Sequence, residues 1–305
     1  MKFVIDCDTG HDDAVAILLA ARHLDLIEIT TVFGTASVED TTRNTLRVLA
    51  LAELFIPVTA GCAGPLLGER PGVSTHGRTG LDGADLPEPA FTPTGHHAVD
   101  VLVESARRHR EELTIIATAP LTNLAIAIRK EPRMRSWVRE ISIMGGSAGT
   151  GNRTAAAEAN FASDPEAASI VLSSGIPCRL AGYDLTRSFG FSSGDIDDLA
   201  ASGRRTAGAV ASLLNFYLER QRERFGLSHA PVHDCCAVLP FVAPSLLQSE
   251  TTAVRVELSG QFTRGMTVFD RRGRARPDGI EVTLATDIDR PATIAAVKQA
   301  VLAYP

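Results

Sequence analysis

No stretch of this sequence approaches the roughly 18 consecutive apolar residues of a membrane-spanning helix, so a membrane is not expected as a partner. Basic excess is missing too: 30 Lys and Arg against 36 Asp and Glu leave a net charge of −6 with the signs interspersed, which excludes a nucleic-acid surface. Cysteine is scarce. Cys7, Cys62, Cys178, Cys235 and Cys236 form an odd set without metal-ligand spacing, the usage of a reduced, cytoplasmic protein. A chain that enters a strand at Phe3 leaves no expected room for a secretory leader. Internal repeats, low-complexity tracts and linkers are absent as well. The Gly-rich run at 145–151 fits neither a Walker A loop nor a GxGxxG fingerprint, so no nucleotide cofactor is expected. What remains is an ordinary globular composition, 305 residues of which 45% are hydrophobic, read as a single domain over residues 1–305.

Strands and helices alternate from the start. Phe3–Asp6 reads as a strand, Asp12–Ala21 as a helix and Ile27–Gly34 as a second strand. A helix from Asp40 and a strand Ile56–Gly61 follow, then a loop over residues 62–95 rich in Gly and Pro. Loops that long in a compact domain are usually functional or disordered. A helix from His97 leads to the strand Leu113–Thr118, the helix Pro120–Lys130 and the strand Glu140–Gly146. The helix Pro165–Gly175 and the strand Cys178–Leu185 complete the series. These strands are nearly continuous apolar runs, as parallel strands covered on both faces require. The pattern predicts an α/β fold with an open, mostly parallel, doubly wound sheet. After Ser188 the chain reads as mainly helical, with late strands at 253–260, 265–270 and 280–285.

In such a sheet ligands bind beyond the carboxyl ends of the strands, and unusual polar residues fall there. The first strand ends in Asp6 and Asp8, the second in Gly34 and Thr35, the fourth in Thr118, and the fifth runs on to Asn152. Glu158, Asn160 and Asp164 precede a helix, and His233 and Asp234 open an apolar segment. One aspartate at a helix start would be a cap. Asp6, Asp8, Asp12 and Asp13 together are not explained that way, because two carboxylates about 4 Å apart repel by about 4 kcal/mol at an effective dielectric near 20. Protons or a cation must relieve the repulsion. Oxygen ligands without interleaved Cys or His favour a hard divalent ion, calcium or magnesium. Asp6 and Asp8 share a strand face, so one is read as a ligand and the other as support. Asp164, ahead of Pro165, is read as a helix cap. His76, in the long loop, is read as a lid contact, whereas His11, His96, His97, His109 and His229 receive no role.

The stretches "DCDTGHDDAVAILLA", "AEANFASDPEAA" and "HDCCAV" closely resemble the nucleoside hydrolases, calcium-dependent enzymes that cleave the N-glycosidic bond of ribonucleosides. The likeness continues in "ITTVFG", "TAGCAGPL", "HGRTGL", "ATAPLTNLAIA", "EISIMGG" and "RGMTVFD", in this order along nearly the whole chain. The resemblance implies Ca2+ held by Asp8, Asp13, Asp234 and the main-chain oxygen of Thr118. It makes Asp8 also the general base toward a calcium-bound water. Asp12 and Asn160 would hold ribose hydroxyls, Asn152 and Glu158 the 5′ side, and His233 would face the departing base as its acid. Many members carry Asn where this chain has Thr35, a position that helps order water and ribose. The family implies a homodimer or homotetramer and a place in purine or pyrimidine salvage.

Two other readings stand beside this one: a calcium- or ribose-binding protein without turnover, and a metal-dependent phosphatase of the haloacid dehalogenase type. The latter motif wants Thr or Val at the position of Gly10 and leaves Asp12 and Asp13 unexplained. The lone Trp137 lies away from the predicted edge, which argues against the purine-specific branch that stacks the base between tryptophans. Pyrimidine-preferring and broader inosine–uridine activity are not separated. Tyr217, Gln221 and Phe225 recur every fourth residue on one helix face and are candidates for base contacts, Phe225 being read as core.

Overall fold

Alternate residues of the first strand, β1 (Lys2–Cys7), feed two separate apolar cores: Phe3, Ile5 and Cys7 enter one, Val4 the other. A strand buried on both faces must be internal, and the computed structural model of the chain places β1 between two parallel neighbours. It describes residues 1–70, 72, 75–273 and 278–305. The first half of the chain runs α1 (His11–His23), β2 (Leu26–Thr31), α2 (Val38–Leu51), β3 (Val58–Ala60), α3 (Ala98–Arg108), β4 (Leu113–Ala117), α4 (Thr122–Lys130), a single turn α5 (Met134–Trp137) and β5 (Val138–Met144). Next come α6 (Ala159–Ser163), α7 (Pro165–Leu172), β6 (Cys178–Ala181), α8 (Tyr183–Thr186), β7 (Gly190–Ser192), α9 (Ser193–Ala200) and α10 (Arg205–Phe225). The chain closes with β8 (His229–Pro231), α11 (Cys235–Val242), β9 (Leu247–Val256), β10 (Thr267–Phe269), β11 (Ile280–Ile288) and α12 (Arg290–Leu302).

Nine strands of the described residues form one sheet in the order β10-β9-β11-β6-β5-β4-β1-β2-β3. From β3 to β6 every pairing is parallel, and β11 joins β6 in parallel before β9 and β10 turn antiparallel. The expected doubly wound architecture is therefore what the chain adopts. Its strand order reverses between β1 and β4, which makes the carboxyl ends of those two strands the switch-point crevice of an open α/β sheet.

Several boundaries differ from the sequence expectation. β2 ends at Thr31 rather than Gly34, because Val32 and Phe33 leave the ladder to pack in a small core of their own with Ala119. β6 ends at Ala181, and the expected strand residues Tyr183–Leu185 instead belong to the helical turn α8. β9 starts six residues early, at Leu247; its leading half is mostly exposed and lacks the apolar runs that marked the other strands. The short antiparallel pair β7–β8, whose strands are joined through α9 and α10, was not expected, and α12 lies in the part read only as mainly helical. The long loop before α3 contains no helix or strand among its described residues; positions 71, 73 and 74 lie outside them.

Candidate active site

The chain leaves β1 at Cys7 and starts α1 at His11, so the Asp8–Asp13 segment lies over the switch point. Gly10 is the helix cap, and its amide donates to Asp13 Oδ2 at 2.9 Å. Thr118, just past β4, donates its hydroxyl to Asp13 Oδ1 at 2.8 Å. The cap of α11 is Asp234. It meets the first turn of α1, so that carboxylate oxygens of Asp12, Asp13 and Asp234 lie within 4.8 Å of one another. Asp8 reaches the same pocket from the strand side. Its Oδ2 accepts the Thr35 amide at 2.5 Å, and its main-chain oxygen accepts the Thr35 hydroxyl. Gly34 is required here: a Cβ at that position would sit 2.0 Å from Asp8 Oδ2.

All four carboxylates are buried. Burial is the first cause that raises each pKa, Asp13 to about 6 and Asp12 to about 8, with Asp8 and Asp234 also well above the usual range. Mutual repulsion adds to the rise, with Asp13 acting on Asp8 and Asp12, and Asp12 on Asp234. Among the described residues no Lys or Arg pairs with any of the four; the ion pairs lie elsewhere. A buried, oxygen-only donor set with unbalanced negative charge fits a hard divalent cation. The mutually close trio contains Asp12, which the sequence reading gave to the sugar, whereas Asp8 stands outside that trio.

Asp6 does not enter the pocket. Its Oδ1 accepts Thr30 Oγ1 at 2.7 Å and Asn123 Nδ2 at 2.8 Å beneath the site, which makes it the supporting member of the Asp6–Asp8 pair. Asp164 is the cap of α7 as expected, and its other oxygen accepts the Leu66 amide and the Thr122 hydroxyl.

One side of the pocket carries amides and a further acid. Asn160 Nδ2 donates to the main-chain oxygens of Thr118, at 2.9 Å, and Met144, at 3.1 Å. A carbonyl oxygen has two lone pairs, so the Asn160 bond is compatible with a metal-ligand role for Thr118. Glu158 caps α6: Oε1 accepts the Asn160 amide at 2.8 Å, and Oε2 accepts those of Gly146 at 2.9 Å and Phe161 at 3.2 Å. Burial lifts its carboxyl to about 7. Asn152 Oδ1 is buried without a hydrogen-bond partner among the described residues, an acceptor suited to a sugar hydroxyl.

The opposite wall is aromatic and imidazole-rich. His233 Nδ1 lies 2.8 Å from Thr186 Oγ1, its ring is tilted against Tyr183, and burial lowers its pKa to about 3. That ring is neutral at physiological pH and acts as a hydrogen-bonding group rather than a ready-charged acid. His76 lines the pocket, stacks on Tyr217 with centroids 4.8 Å apart and is held against the start of α1, accepting the His11 amide on Nδ1. His11, expected to have no role, is fully buried and bonds to His76. Tyr217, Gln221 and Phe225 all line the pocket, so Phe225 is not the core residue the sequence suggested. Tyr183, Arg153 and Arg224 also line it and were missed. Tyr183 opens α8 two residues past the end of β6 and was overlooked because β6 was drawn too long. The pocket spans about 860 Å3 including its open mouth. Trp137 stays remote, buried between the guanidinium groups of Arg110 and Arg133, each 4.9 Å from its ring.

A family model described as inosine-uridine preferring nucleoside hydrolase matches residues 3–295. A pyrimidine-specific ribonucleoside hydrolase, RihA, of Escherichia coli is 42% identical over 275 residues, covering 88% of this chain and 88% of its own. The RihA of an Enterobacter species is 40% identical over 297 residues, 95% of this chain and 94% of its own. Among solved structures, a plant nucleoside hydrolase superposes with a TM-score of 0.91 at 32% identity, over 99% of both chains. A purine-preferring ribonucleoside hydrolase from Gardnerella vaginalis superposes at 0.93 with 26% identity, over 99% of this chain and 98% of that one.

Proposed function

The chain belongs to the inosine-uridine preferring nucleoside hydrolase family and hydrolyses the N-glycosidic bond of ribonucleosides; we propose that its metal is calcium and its preferred substrates are pyrimidine ribonucleosides. The observation that carries the metal is the buried group of four carboxylates at the switch point with no cationic partner among the described residues. The pyrimidine preference is supported by two RihA relatives at 40% and 42% identity and by the remoteness of Trp137.

Cleaving the C1′–N bond builds positive charge on the sugar, as in glycoside hydrolysis generally. A calcium ion held by Asp8, Asp13, Asp234 and the Thr118 carbonyl would relieve their repulsion, pin the ribose diol and acidify water. Asp8, steadied by the Thr35 amide, takes a proton from the attacking water as general base. Asp12 and Asn160 hold the ribose hydroxyls, while Asn152 and Glu158 receive the 5′ end. Thr35 contributes by holding Asp8, since its hydroxyl is bonded to that residue's main-chain oxygen. His233, backed by Thr186, and His76, beside Tyr217, face the departing base, which needs a proton or strong hydrogen bonds to leave. The freed base and ribose fit a salvage role in the cytoplasm, and a homodimer or homotetramer is the expected assembly. No helix of the described residues is long and apolar enough to cross a membrane.

The test is a reducing-sugar assay with uridine, cytidine, inosine and adenosine, with and without a calcium chelator. Ribose release fastest from uridine or cytidine, abolished by chelator and restored by calcium, is the expected result. Faster release from inosine or adenosine would overturn the pyrimidine preference. Ribose binding without base release would favour the binding-protein reading, and phosphate release from phosphomonoesters the phosphatase.

A further inference from the structure

We propose that Thr267 is a positioning residue for the 5′ side of the sugar pocket: from the outermost strand of the sheet it sets the register of the loop that carries Asn152. The inference deepens the ribonucleoside hydrolase reading and rests on it for its consequence in turnover.

The loop leaves β5 at Gly145 and gives its successive amides to different partners. Gly145 donates to the main-chain oxygen of Ala181 at 3.2 Å, Gly146 to Glu158 Oε2 at 2.9 Å and Ala148 to Asp184 Oδ1 at 2.8 Å. Between them the main chain of buried Ser147 is held by one side chain. Thr267 Oγ1 accepts the Ser147 amide and donates to the Ser147 carbonyl oxygen, both at 2.7 Å. A hydroxyl has one proton to give and lone pairs to receive, so a single group pairs with Ser147 as a neighbouring strand would. Three strands stand between β10 and β5 in the sheet, so no ladder supplies this pairing. The Ser147 hydroxyl carries the constraint onward, donating to the main-chain oxygen of Thr150 at 2.8 Å and accepting the Gly149 amide at 3.1 Å. Gly151 and Arg153 then donate to the main-chain oxygens of Ala155 and Ala157, each at 3.1 Å. Asn152 lies between those two anchors, with its buried Oδ1 turned to no described residue.

The approach to β10 backs the rest of the 5′ side as well. Gly265, at φ +84°, comes so near α6 that a Cβ there would lie 3.0 Å from Ala162 Cα and 3.2 Å from Ala157 Cβ, residues that bracket Glu158 and Asn160. Arg264 pairs with Glu166 in the first turn of α7 at 2.7 Å. The Thr267 methyl abuts the loop directly, since a Cβ on Gly146 would lie 2.8 Å from it. Without the Thr267 hydroxyl a buried amide and a buried carbonyl lose their partner, a penalty that the loop relieves only by shifting. Such a shift moves Asn152 and the Gly146 amide that steadies Glu158. It leaves the carboxylate floor in place, because Asp8, Asp13 and Asp234 stand on the β1–α1 junction and on α11. Contacts to a part of the substrate remote from the bond that breaks still contribute to the rate, by fixing the reacting geometry.

The experiment compares uridine with 5′-deoxyuridine, at saturating calcium, in the full chain and in Thr267→Val, which keeps the methyl and the shape and removes the hydroxyl. Uridine kcat/KM should fall about tenfold, the loss of one hydrogen bond to the 5′ hydroxyl. The 5′-deoxyuridine value, with no such bond to lose, should fall no more than about twofold on the same reasoning. Thr267→Ser retains the hydroxyl and should restore the uridine rate. Amide hydrogen exchange read by NMR should be about tenfold faster at Ser147 in Thr267→Val, a local opening eased by the lost partner. Ser147→Ala cuts the tie to Thr150 from within the loop; it should show the same selective loss and serves if Thr267→Val does not fold. Equal losses on both nucleosides, as a general loosening of the fold would give, or a selective loss that Thr267→Ser does not repair, would overturn the proposal. If the unaltered protein turns over neither nucleoside, the hydrolase reading falls. The same comparison is then made on the dissociation constants of the two nucleosides: selective weakening of uridine in Thr267→Val upholds the positioning role, and equal weakening overturns it.

Discussion

The two ends of the pocket solve opposite problems with buried ionisable groups. At the floor, Asp8, Asp12, Asp13 and Asp234 are crowded without a protein cation, and their pKa values are driven upward. At the wall, His11, His76 and His233 are buried and driven downward, His11 to about 4 and His233 to about 3. Desolvation is the leading cause in both, because removing water disfavours whichever form is charged. The consequences differ. Histidines become neutral and settle into ordinary hydrogen bonds, with Thr186, Asp82 and each other. Carboxylates that must stay ionised to do chemistry need an outside charge. The floor is therefore suited to a cation, whereas the imidazoles of the wall are met by protein partners.

Removing a floor ligand should break this contrast most. Asp13→Ala should lose bound calcium and lower turnover by on the order of 10³-fold, since positioning, charge and base chemistry fail together. The fold should survive, because relief of carboxylate repulsion offsets the two lost hydrogen bonds. Calcium titration by calorimetry, with circular dichroism as the control, checks this; stoichiometric calcium and normal turnover would remove the floor from the mechanism.

A smaller disturbance leaves every charge in place and moves one. Gly34→Ala should push Asp8 aside and cost about 10² in kcat, the usual penalty for a catalytic group displaced by about 1 Å. Calcium should still bind through the remaining ligands, so a pre-steady-state assay at saturating calcium should show the defect in kcat. Unchanged kcat would mean that Asp8 is not the base.

The wall should yield least. Thr186→Val keeps the shape beside His233 and deletes the hydroxyl, a loss of about 1 kcal/mol or roughly fivefold in uridine kcat/KM. The calcium affinity should not change, and p-nitrophenyl riboside should be less affected than uridine. Parallel losses on both substrates, with weakened calcium, would show that wall and floor are not separable.

The floor was legible in the sequence to an unusual degree. Asp8, Asp12 and Asp13 fall within one strand-to-helix junction, and Asp234 and Thr118 each begin or precede an element whose apolar pattern is plain. Strand order needs no side-chain detail to bring such ends together once the parallel runs are recognised. The wall was not legible. His11 reads like any residue in a first helical turn, and Tyr183 was hidden by a strand boundary drawn at Leu185 rather than at Ala181. Phe225 follows Tyr217 and Gln221 at helical spacing, yet periodicity does not say whether the shared face meets core or cavity.

By itself the sequence determined the alternation of buried strands and helices, and with it the gathering of four carboxylates where β1, α1 and α11 meet, because strand polarity and helix starts are local properties of the chain. Only the tertiary structure decided which nitrogen of His76 faces which nitrogen of His11, 65 positions away. Hydrogen-bond direction depends on ångström-scale approach and on the partners that burial leaves within reach, and neither is written in residue spacing.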